Sequence, residues 1–567
     1  MTHFQLDAAG YFLRDGQHFW PVGCNYTAAS AGARFWRVWP EAEIHADLAA
    51  MRQLGFNTVR FFLTWEDFEP EPGKYEPLME QRLRKFCRWC EELDLCPHPS
   101  LFTAWMSGGI FWPSWKGRRN LFEDPELRER SLAYAQRVAG ILRGTGNLLA
   151  IDAGNEMSCL PDAHDAPPDV VRDWCLDLLK RIRAELPGVL VVPGNEQMMI
   201  FKDQGFRLTD NVGWNFYSAH GYPVPSWNET WMPGMRAPET QRRLPFYVKF
   251  LRAFGPVMVQ EFGTIATFGV KEQRVYLSGM LDRALRAGAN GFLFWCWTDI
   301  RTSIHPYGKG GLERTLGLTD HQRRVKPGLE PFVEFARELT SGTLTPPPLP
   351  LARRVELLLP QEWYFRDNQN NPGNHPAVQC EQYAGVDSIL EESGRHAVVI
   401  RAPTDELRTP LIIPGAGLRD DEMARLIPTV AAGRRLLWWS PSPYCWGPAG
   451  RELVGAEIVD FLPDHAVSFT WKDQGWKLPG FPDRNMAVVR PIGEARVAIH
   501  DEAGRPLLIC HRVGRGEIWT LLPLCRTSAH PDHATERAFA TALIGAFLGR
   551  ERRLLRKAHS PVIKLAS

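Results

Sequence analysis

Ala153-Gly154-Asn155-Glu156 and Val259-Gln260-Glu261-Phe262-Gly263 decide the reading of this 567-residue chain. Each stretch ends a short apolar run, Leu148-Leu149-Ala150-Ile151 for the first and Pro256-Val257-Met258-Val259 for the second. Each is followed by small or turn-forming residues. A carboxylate at the tip of a buried strand costs several kcal/mol unless it is paired, so packing alone does not place Glu at either spot. Two such carboxylates suit acid and nucleophile chemistry, the logic of glycosidic bond cleavage. The bland alternative is a pair of structural ion pairs.

Outward from these two, apolar runs recur at Trp20 to Cys24, Thr58 to Leu63, Leu95 to Phe102, Leu148 to Ala153, Val189 to Val192, Val212 to Phe216, Val257 to Val259 and Gly291 to Trp295. Between most of them lie segments with helical spacing: Glu41 to Leu54, Met79 to Leu93, Pro125 to Leu142, Val170 to Leu186, Gln241 to Phe254 and Lys271 to Ala287. Only the connection between the fifth and sixth runs is weak in helical pattern. Eight strands alternating with helices predict a (β/α)8 TIM barrel over residues 1–340. Phe12 to Phe19 predicts a hairpin around Asp15-Gly16 in front of it. Chemistry on such barrels sits at the C-terminal ends of the strands, where Glu156 and Glu261 fall on the fourth and seventh.

Residues 341–350, Ser-Gly-Thr-Leu-Thr-Pro-Pro-Pro-Leu-Pro, read as a Pro-rich linker. Residues 351–530 read as a smaller α/β domain with additional β structure. Its strands are expected at Arg354 to Leu359, Leu411 to Pro414 and Arg434 to Trp439, with a helix at Asp420 to Ala431. Strand signals thicken from Leu453 to Leu522, with turns at Asp473-Gln474-Gly475 and Ala503-Gly504. Residues 531–567 hold a closing helix, Thr535 to Leu548, and a solvated basic tail.

The 66 Lys and Arg balance 65 Asp and Glu, so no field favours nucleic acid or an anionic membrane. Eleven scattered Cys argue against a disulfide framework and for a reducing compartment. The N-terminus lacks the basic and apolar blocks of a signal peptide, and no apolar stretch is long enough to span a bilayer. These features predict a cytoplasmic protein. Trp is frequent, with 21 residues, and can floor sugar rings, although most of it is expected in the core.

Further candidates surround the two carboxylates. Arg60 on the second strand could hold a carboxylate ionised; a structural salt bridge is the bland reading. Trp65 follows that strand, and His98 lies on the third. His220 and Tyr222, from the sixth, could reach the nucleophile or a sugar hydroxyl. Of Trp295 and Trp297 at the eighth, one could floor a sugar ring. Gly194-Asn195-Glu196 repeats the Gly-Asn-Glu string on the fifth strand, but the fourth better faces the seventh across the mouth. Cys87, Cys90 and Cys96 lack the paired ligands of a zinc site and read as buried thiols. Cys445 has no evident His partner and reads as inert. No metal or organic cofactor is expected.

Together, Arg60, Asn155-Glu156, His220-x-Tyr222, Glu261 and Trp295 resemble glycoside hydrolases of clan A, family 5, over residues 10–340. The resemblance implies Glu156 as acid/base, Glu261 as nucleophile, Asn155 on the sugar 2-hydroxyl, and Arg60 and Tyr222 as tuners of Glu261. Asn25-Tyr26, Phe35-Trp36 and Trp65-Glu66-Asp67-Phe68 are most similar to the exo-β-mannosidases of subfamily 18. Family 42 β-galactosidases share Glu69-Pro70-x-x-Gly73-x-Tyr75. Their glutamine-amidotransferase-like (flavodoxin-like) trimerisation domain is similar to Leu411 to Gly415, Leu436-Leu437 and Gly514 to Trp519. His220-x-Tyr222 favours family 5, and the family 42 cysteine zinc cluster is not matched.

The expectation is a retaining exo-β-mannosidase acting on short oligosaccharides, as a homo-oligomeric trimer or dimer. A β-galactosidase of family 42 type, or another β-glycosidase such as a β-glucosidase, is the near alternative. The non-enzyme alternative is a carbohydrate-binding protein on an inactive barrel. An amidotransferase activity in the second domain would need a nucleophile–His pair that the sequence does not display.

Overall fold

A computed structural model describes residues 3–194, 212–223, 234–266, 269–309, 311–346, 350–360, 376–415, 417–441 and 446–549. Contacts divide the chain into two compact units, Met1–Pro348 and Leu349–Ser567.

In the first unit eight parallel strands form one sheet: β1 Val22–Tyr26, β2 Thr58–Phe62, β3 Cys96–Phe102, β4 Ile151–Gly154, β5 Val191–Val192, β6 Tyr217–Gly221, β7 Val257–Phe262 and β8 Ala289–Phe294. Their spatial order is β5-β4-β3-β2-β1-β8-β7-β6, so the sheet curls almost into a closed barrel. The seam between β5 and β6 is stitched by Asn215, whose backbone N–H donates to the Val191 carbonyl (3.0 Å). Its side-chain Oδ1 accepts from the Val191 N–H (2.8 Å), standing in for a missing ladder partner.

This seam corrects the expected sixth strand. Val212 to Phe216 is a loop, with Gly213 at φ +85°, and the strand begins at Tyr217. Phe216 owes its burial to the bottom of the barrel, where its ring meets Phe12 edge-on at 5.2 Å. Apolar character there marks a plug, not a strand. The plug is the N-terminal sheet of Phe4–Leu6, Phe12–Arg14 and Gln17–His18. Its expected hairpin turns at Asp15 and Gly16, both with positive φ (51° and 81°), the backbone that matches strand twist in a two-residue turn.

Helices cover the outside. Pro125–Leu142 is opened by Asp124, whose side chain accepts from the Leu127 N–H at 2.9 Å, with Pro in the first turn. It buries Leu127, Leu132, Tyr134, Ala135, Val138 and Leu142 on one face, each large side chain worth about 1.5–3 kcal/mol. The other helices, Glu41–Gln53, Pro77–Glu92, Pro168–Glu185, Pro238–Leu251, Val270–Arg286 and Glu330–Thr340, lie within a few residues of the expected spans where one was expected.

The second unit is built on a seven-stranded sheet, ordered His396–Ile400, Arg354–Leu358, Leu411–Pro414, Arg435–Trp439, Gly516–Leu521, Pro506–Val513, Arg496–His500. The first five strands are parallel in the 2-1-3-4-5 order of flavodoxin-like sheets. The last two are antiparallel additions. The helix Pro376–Glu392 and strand His396–Ile400 had no clear sequence signal. The hairpin expected at Asp473-Gln474-Gly475 turns instead at Lys472-Asp473, both with positive φ. A ribbon of Ala456–Asp464 with Phe481–Pro491 completes the described β structure of this unit together with that hairpin.

Candidate active site

Arg60 is the hub of the barrel interior. It is fully buried on β2, a position tenable only because all five of its N–H groups point at acceptors. Nε and Nη2 donate to Asp152 Oδ2 (2.9 and 2.6 Å). Nη1 donates to Asn25 Oδ1 (2.9 Å) and to Glu261 Oε1. Nη2 also donates to Asn155 Oδ1 (2.8 Å). One guanidinium therefore ties β1, β2, β4 and β7 together and gives the Glu261 carboxylate a charged partner.

Glu261 lies within β7, not beyond it: the strand runs on to Phe262. Its second oxygen accepts from the Tyr222 hydroxyl (3.1 Å). Burial, and then the Glu261 carboxylate, push the Tyr222 phenol well up, so it remains a hydrogen-bond donor. His220 Nδ1 lies 3.7 Å from Glu261 Oε2 and 3.1 Å from Glu156 Oε1. Burial drives this imidazole down, but the Glu261 and Glu156 carboxylates outweigh it and hold His220 above its ordinary value.

Glu156 leaves β4 through a left-handed residue, φ +46° and ψ +41°. That turn costs a non-glycine residue of order 1–3 kcal/mol and swings the side chain off the strand direction toward the mouth. Its N–H donates to the Gly194 carbonyl (2.9 Å). Gly194 itself has φ +65°, and a Cβ there would stand 1.9 Å from Asp152 Oδ1 and 2.2 Å from the Gly154 carbonyl oxygen. The glycine of the repeated Gly-Asn-Glu string thus serves close packing beside the first copy. Glu196, which completes that string, and Cys445 lie outside the described residues.

Asn155 gives its Nδ2 to the Trp105 carbonyl (2.7 Å). His98 is buried on β3 and meets the cluster through Gln260. Trp65 is packed in the core with its Nε1 on Glu69 (2.7 Å) and its rings against Phe102, Trp115 and Tyr134. Trp295 follows β8, with its ring edge-on to Phe62 and its Nε1 on Glu313 Oε2 (3.3 Å). Trp297 is fully buried.

Three polar residues here escaped the sequence reading. Asp152, inside the apolar run of β4, could have been suspected as a charge in a buried strand. Gln260 sits beside Glu261 in Val259-Gln260-Glu261-Phe262-Gly263. Glu313, from the loop after β8, carried no signal. Its burial pushes its carboxyl up to about 7, opposed by hydrogen bonds from Ser107 and Trp295 and reinforced by Glu261 and Glu156.

Glu156, His220 and Glu261 each offer an atom, all within 4.8 Å of one another. That closeness could hold a cation, but Arg60 already supplies positive charge on Glu261. The thiols of Cys87, Cys90 and Cys96 are buried, and burial pushes Cys87 and Cys96 up to about 12.

No family model matches the chain. The exo-β-1,4-mannosidase Op5Man5 from Opitutaceae bacterium strain TAV5 superimposes with a TM-score of 0.88 at 39% identity, over 96% of this chain and 99% of that one. A subfamily 18 enzyme of family 5 from Streptomyces cattleya, solved with Manβ1-4GlcNAc, shares the fold at a TM-score of 0.59 and 22% identity, over 68% of this chain and 94% of that one. A cold-adapted β-galactosidase from Rahnella sp. R3 shares it at 0.68 and 14%, over 94% and 89%. The β-galactosidase of Mus musculus is 29% identical over 117 residues, 20% of this chain. The chain thus spans only 16% of the length of that curated relative. The chain belongs to glycoside hydrolase family 5.

Proposed function

We propose that the protein is a retaining, exo-acting β-mannosidase that hydrolyses short β-mannosides. The observation that carries this reading is the proximity of Glu156 and Glu261 across the mouth, oxygens within 4.8 Å, with different partners on each. Retaining glycosidases hold their carboxyls about 5–5.5 Å apart, whereas inverting ones leave room for a water at about 6.5–9.5 Å. Glu261, with a guanidinium on one oxygen and a phenol on the other, is aimed to attack the anomeric carbon. Glu156, which faces only the imidazole of His220 among these groups, protonates the departing oxygen and then takes a proton from the water that releases the sugar. Both steps use side chains of this chain alone.

The preference for mannose is supported by the 39% identity to an exo-β-1,4-mannosidase along the whole chain. A β-galactosidase reading is the second, supported by the whole-length fold likeness to the Rahnella enzyme. Among the described residues no helix is long and apolar enough to cross a membrane. A cytoplasmic enzyme trimming small imported oligosaccharides, assembled as a trimer or dimer, completes the proposal.

A panel of nitrophenyl β-glycosides tests it. Hydrolysis of the β-mannoside above the galactoside and glucoside, with the first product seen by NMR as the β-anomer, is the expected result. Preference for the galactoside selects the second reading, and an α-anomer overturns retention.

A further inference from the structure

Gln260 and Glu261 are consecutive, yet both side chains face the barrel interior, Gln260 toward His98 and His220 and Glu261 toward Arg60. A regular strand would send them to opposite faces. The pairing of β6 with β7 explains the exception: Ala219 stands opposite Val259 and His220 opposite Glu261, so Gln260 is an extra residue in a β-bulge. Its backbone carbonyl is held by Asn25 Nδ2 (2.9 Å). Its side chain is fully buried between two fully buried histidines.

The direction of this hydrogen-bond chain is set at its far end. The Ala150 carbonyl can only accept, so His98 Nδ1, 2.9 Å away, carries a proton. Burial holds His98 down at about 4, against Asp152 and that carbonyl, so the ring is neutral and Nε2 is a lone pair. Gln260 Nε2 lies 2.9 Å from it and donates. The amide oxygen of Gln260 must then face His220 Nε2, at 3.2 Å, and that nitrogen must donate. What remains is His220 Nδ1, which faces Glu156 at 3.1 Å.

We infer that Gln260 is a positioning residue that locks His220 in the Nε2–H tautomer, so that Nδ1 alone exchanges a proton with Glu156. The inference rests on the acid/base role proposed for Glu156. One proton is shared by the pair: it sits on Glu156 and is donated to the Nδ1 lone pair, or it sits on Nδ1 and is donated to the Glu156 carboxylate. The exchange leaves the net charge of the pair unchanged. The other groups around His220 are Glu261 and Tyr222 at the mouth, and Arg60, with Asp152 behind it. Without the lock, neutral His220 can turn to the Nδ1–H tautomer. That form donates to ionised Glu156 and so favours release of the Glu156 proton to solvent.

Two measurements test this. Side-chain nitrogen NMR of 15N-histidine-labelled full-length protein, with the His220 signal identified by its loss in His220→Ala, reads the tautomer without any substrate. The neutral ring should carry its proton on Nε2 in the wild type and should populate the Nδ1–H form in Gln260→Leu. The pH profile of kcat/KM should have its basic limb at lower pH in Gln260→Leu, with an activity loss of roughly tenfold. Gln260→Glu keeps an acceptor for His220 Nε2 and adds negative charge, so it should retain the tautomer and move the limb to higher pH. It also keeps the test open if the leucine variant does not fold. A wild-type His220 with its neutral proton on Nδ1, or a foldable Gln260 variant whose tautomer and limb do not move as stated, overturns the inference. Failure of azide to restore turnover to Glu156→Ala would overturn the acid/base assignment instead, leaving the tautomer result standing.

Discussion

Arg60 stands between Asp152 and Glu261, and its single positive charge serves two buried carboxylates. Asp152 takes two of its N–H groups and Glu261 takes one, so Asp152 orients the guanidinium that Glu261 uses. Arg60→Lys keeps the charge but has three donors on a flexible stem, too few for this set of acceptors. We expect kcat to fall on the order of 10²–10³-fold, and thermal unfolding to report a loss of about 3–5 kcal/mol from the broken buried network. A lysine variant with near wild-type kcat would show that fixed geometry is unimportant here.

Glu156→Ala should keep the attack by Glu261 on a dinitrophenyl glycoside, whose leaving group needs little protonation, while release of the sugar slows. The expected signature is a burst, with azide restoring turnover and yielding a β-glycosyl azide. Glu261→Ala should show no burst and no β-glycosyl azide, because it forms no covalent intermediate. Glu196→Ala, carrying the repeated string, is the control and should show no burst and no rescue. Rescue at Glu196 with a dead Glu156 variant would transfer the acid role.

Gly194→Ala tests packing beside the site without touching the carboxylate of Glu156 or Glu261. The new methyl would overlap Asp152 Oδ1 and the Gly154 carbonyl. Displacing Asp152 should loosen Arg60, lower kcat more than it raises KM, and destabilise the barrel by at least about 1 kcal/mol. Unchanged kinetics would mean that the β4–β5 region yields freely.

Glu313 is expected to govern behaviour near neutral pH. Its folded value of about 7 lies above the ordinary 4.5, so the folded protein binds the extra proton between those values. The stability this group contributes is present below 4.5 and is lost as pH rises through 7. Glu313→Gln should remove that loss, narrowing the difference in melting temperature between about pH 5 and about pH 8. It should also move the basic limb of kcat/KM to lower pH, because an ionised Glu313 favours the protonated form of Glu156. A Gln variant with the wild-type pH dependence in both would rule this out.

Val459 projects from the ribbon of the second unit, 53% exposed, and is our candidate for an assembly contact. Light scattering should show an oligomer at micromolar concentration that Val459→Asp weakens. A fully active wild-type monomer would end the proposal.

Period and spacing alone reveal seven of the eight barrel strands, the covering helices and the two carboxylates at strand ends. Alternating apolar runs and amphipathic segments are local consequences of burying one face of each element. The sixth strand was misplaced because Phe216 is apolar for the sake of the plug beneath the barrel, and local apolarity does not say which core a residue enters. His396–Ile400 was missed because it alternates buried and half-buried residues instead of forming a wholly apolar run. At the site, Glu156 and Glu261 were legible because a charge at the end of a buried run is conspicuous. Gln260 was not, since a neutral amide is unremarkable in sequence, and only the β-bulge, a property of the pairing between β6 and β7, turns it inward beside Glu261. Asp152, Glu313 and the five-fold engagement of Arg60 are likewise tertiary facts. Hydrogen bonds across 35 to 201 residues of chain depend on where the strands are laid, and no spacing along the sequence encodes which acceptor a buried guanidinium meets.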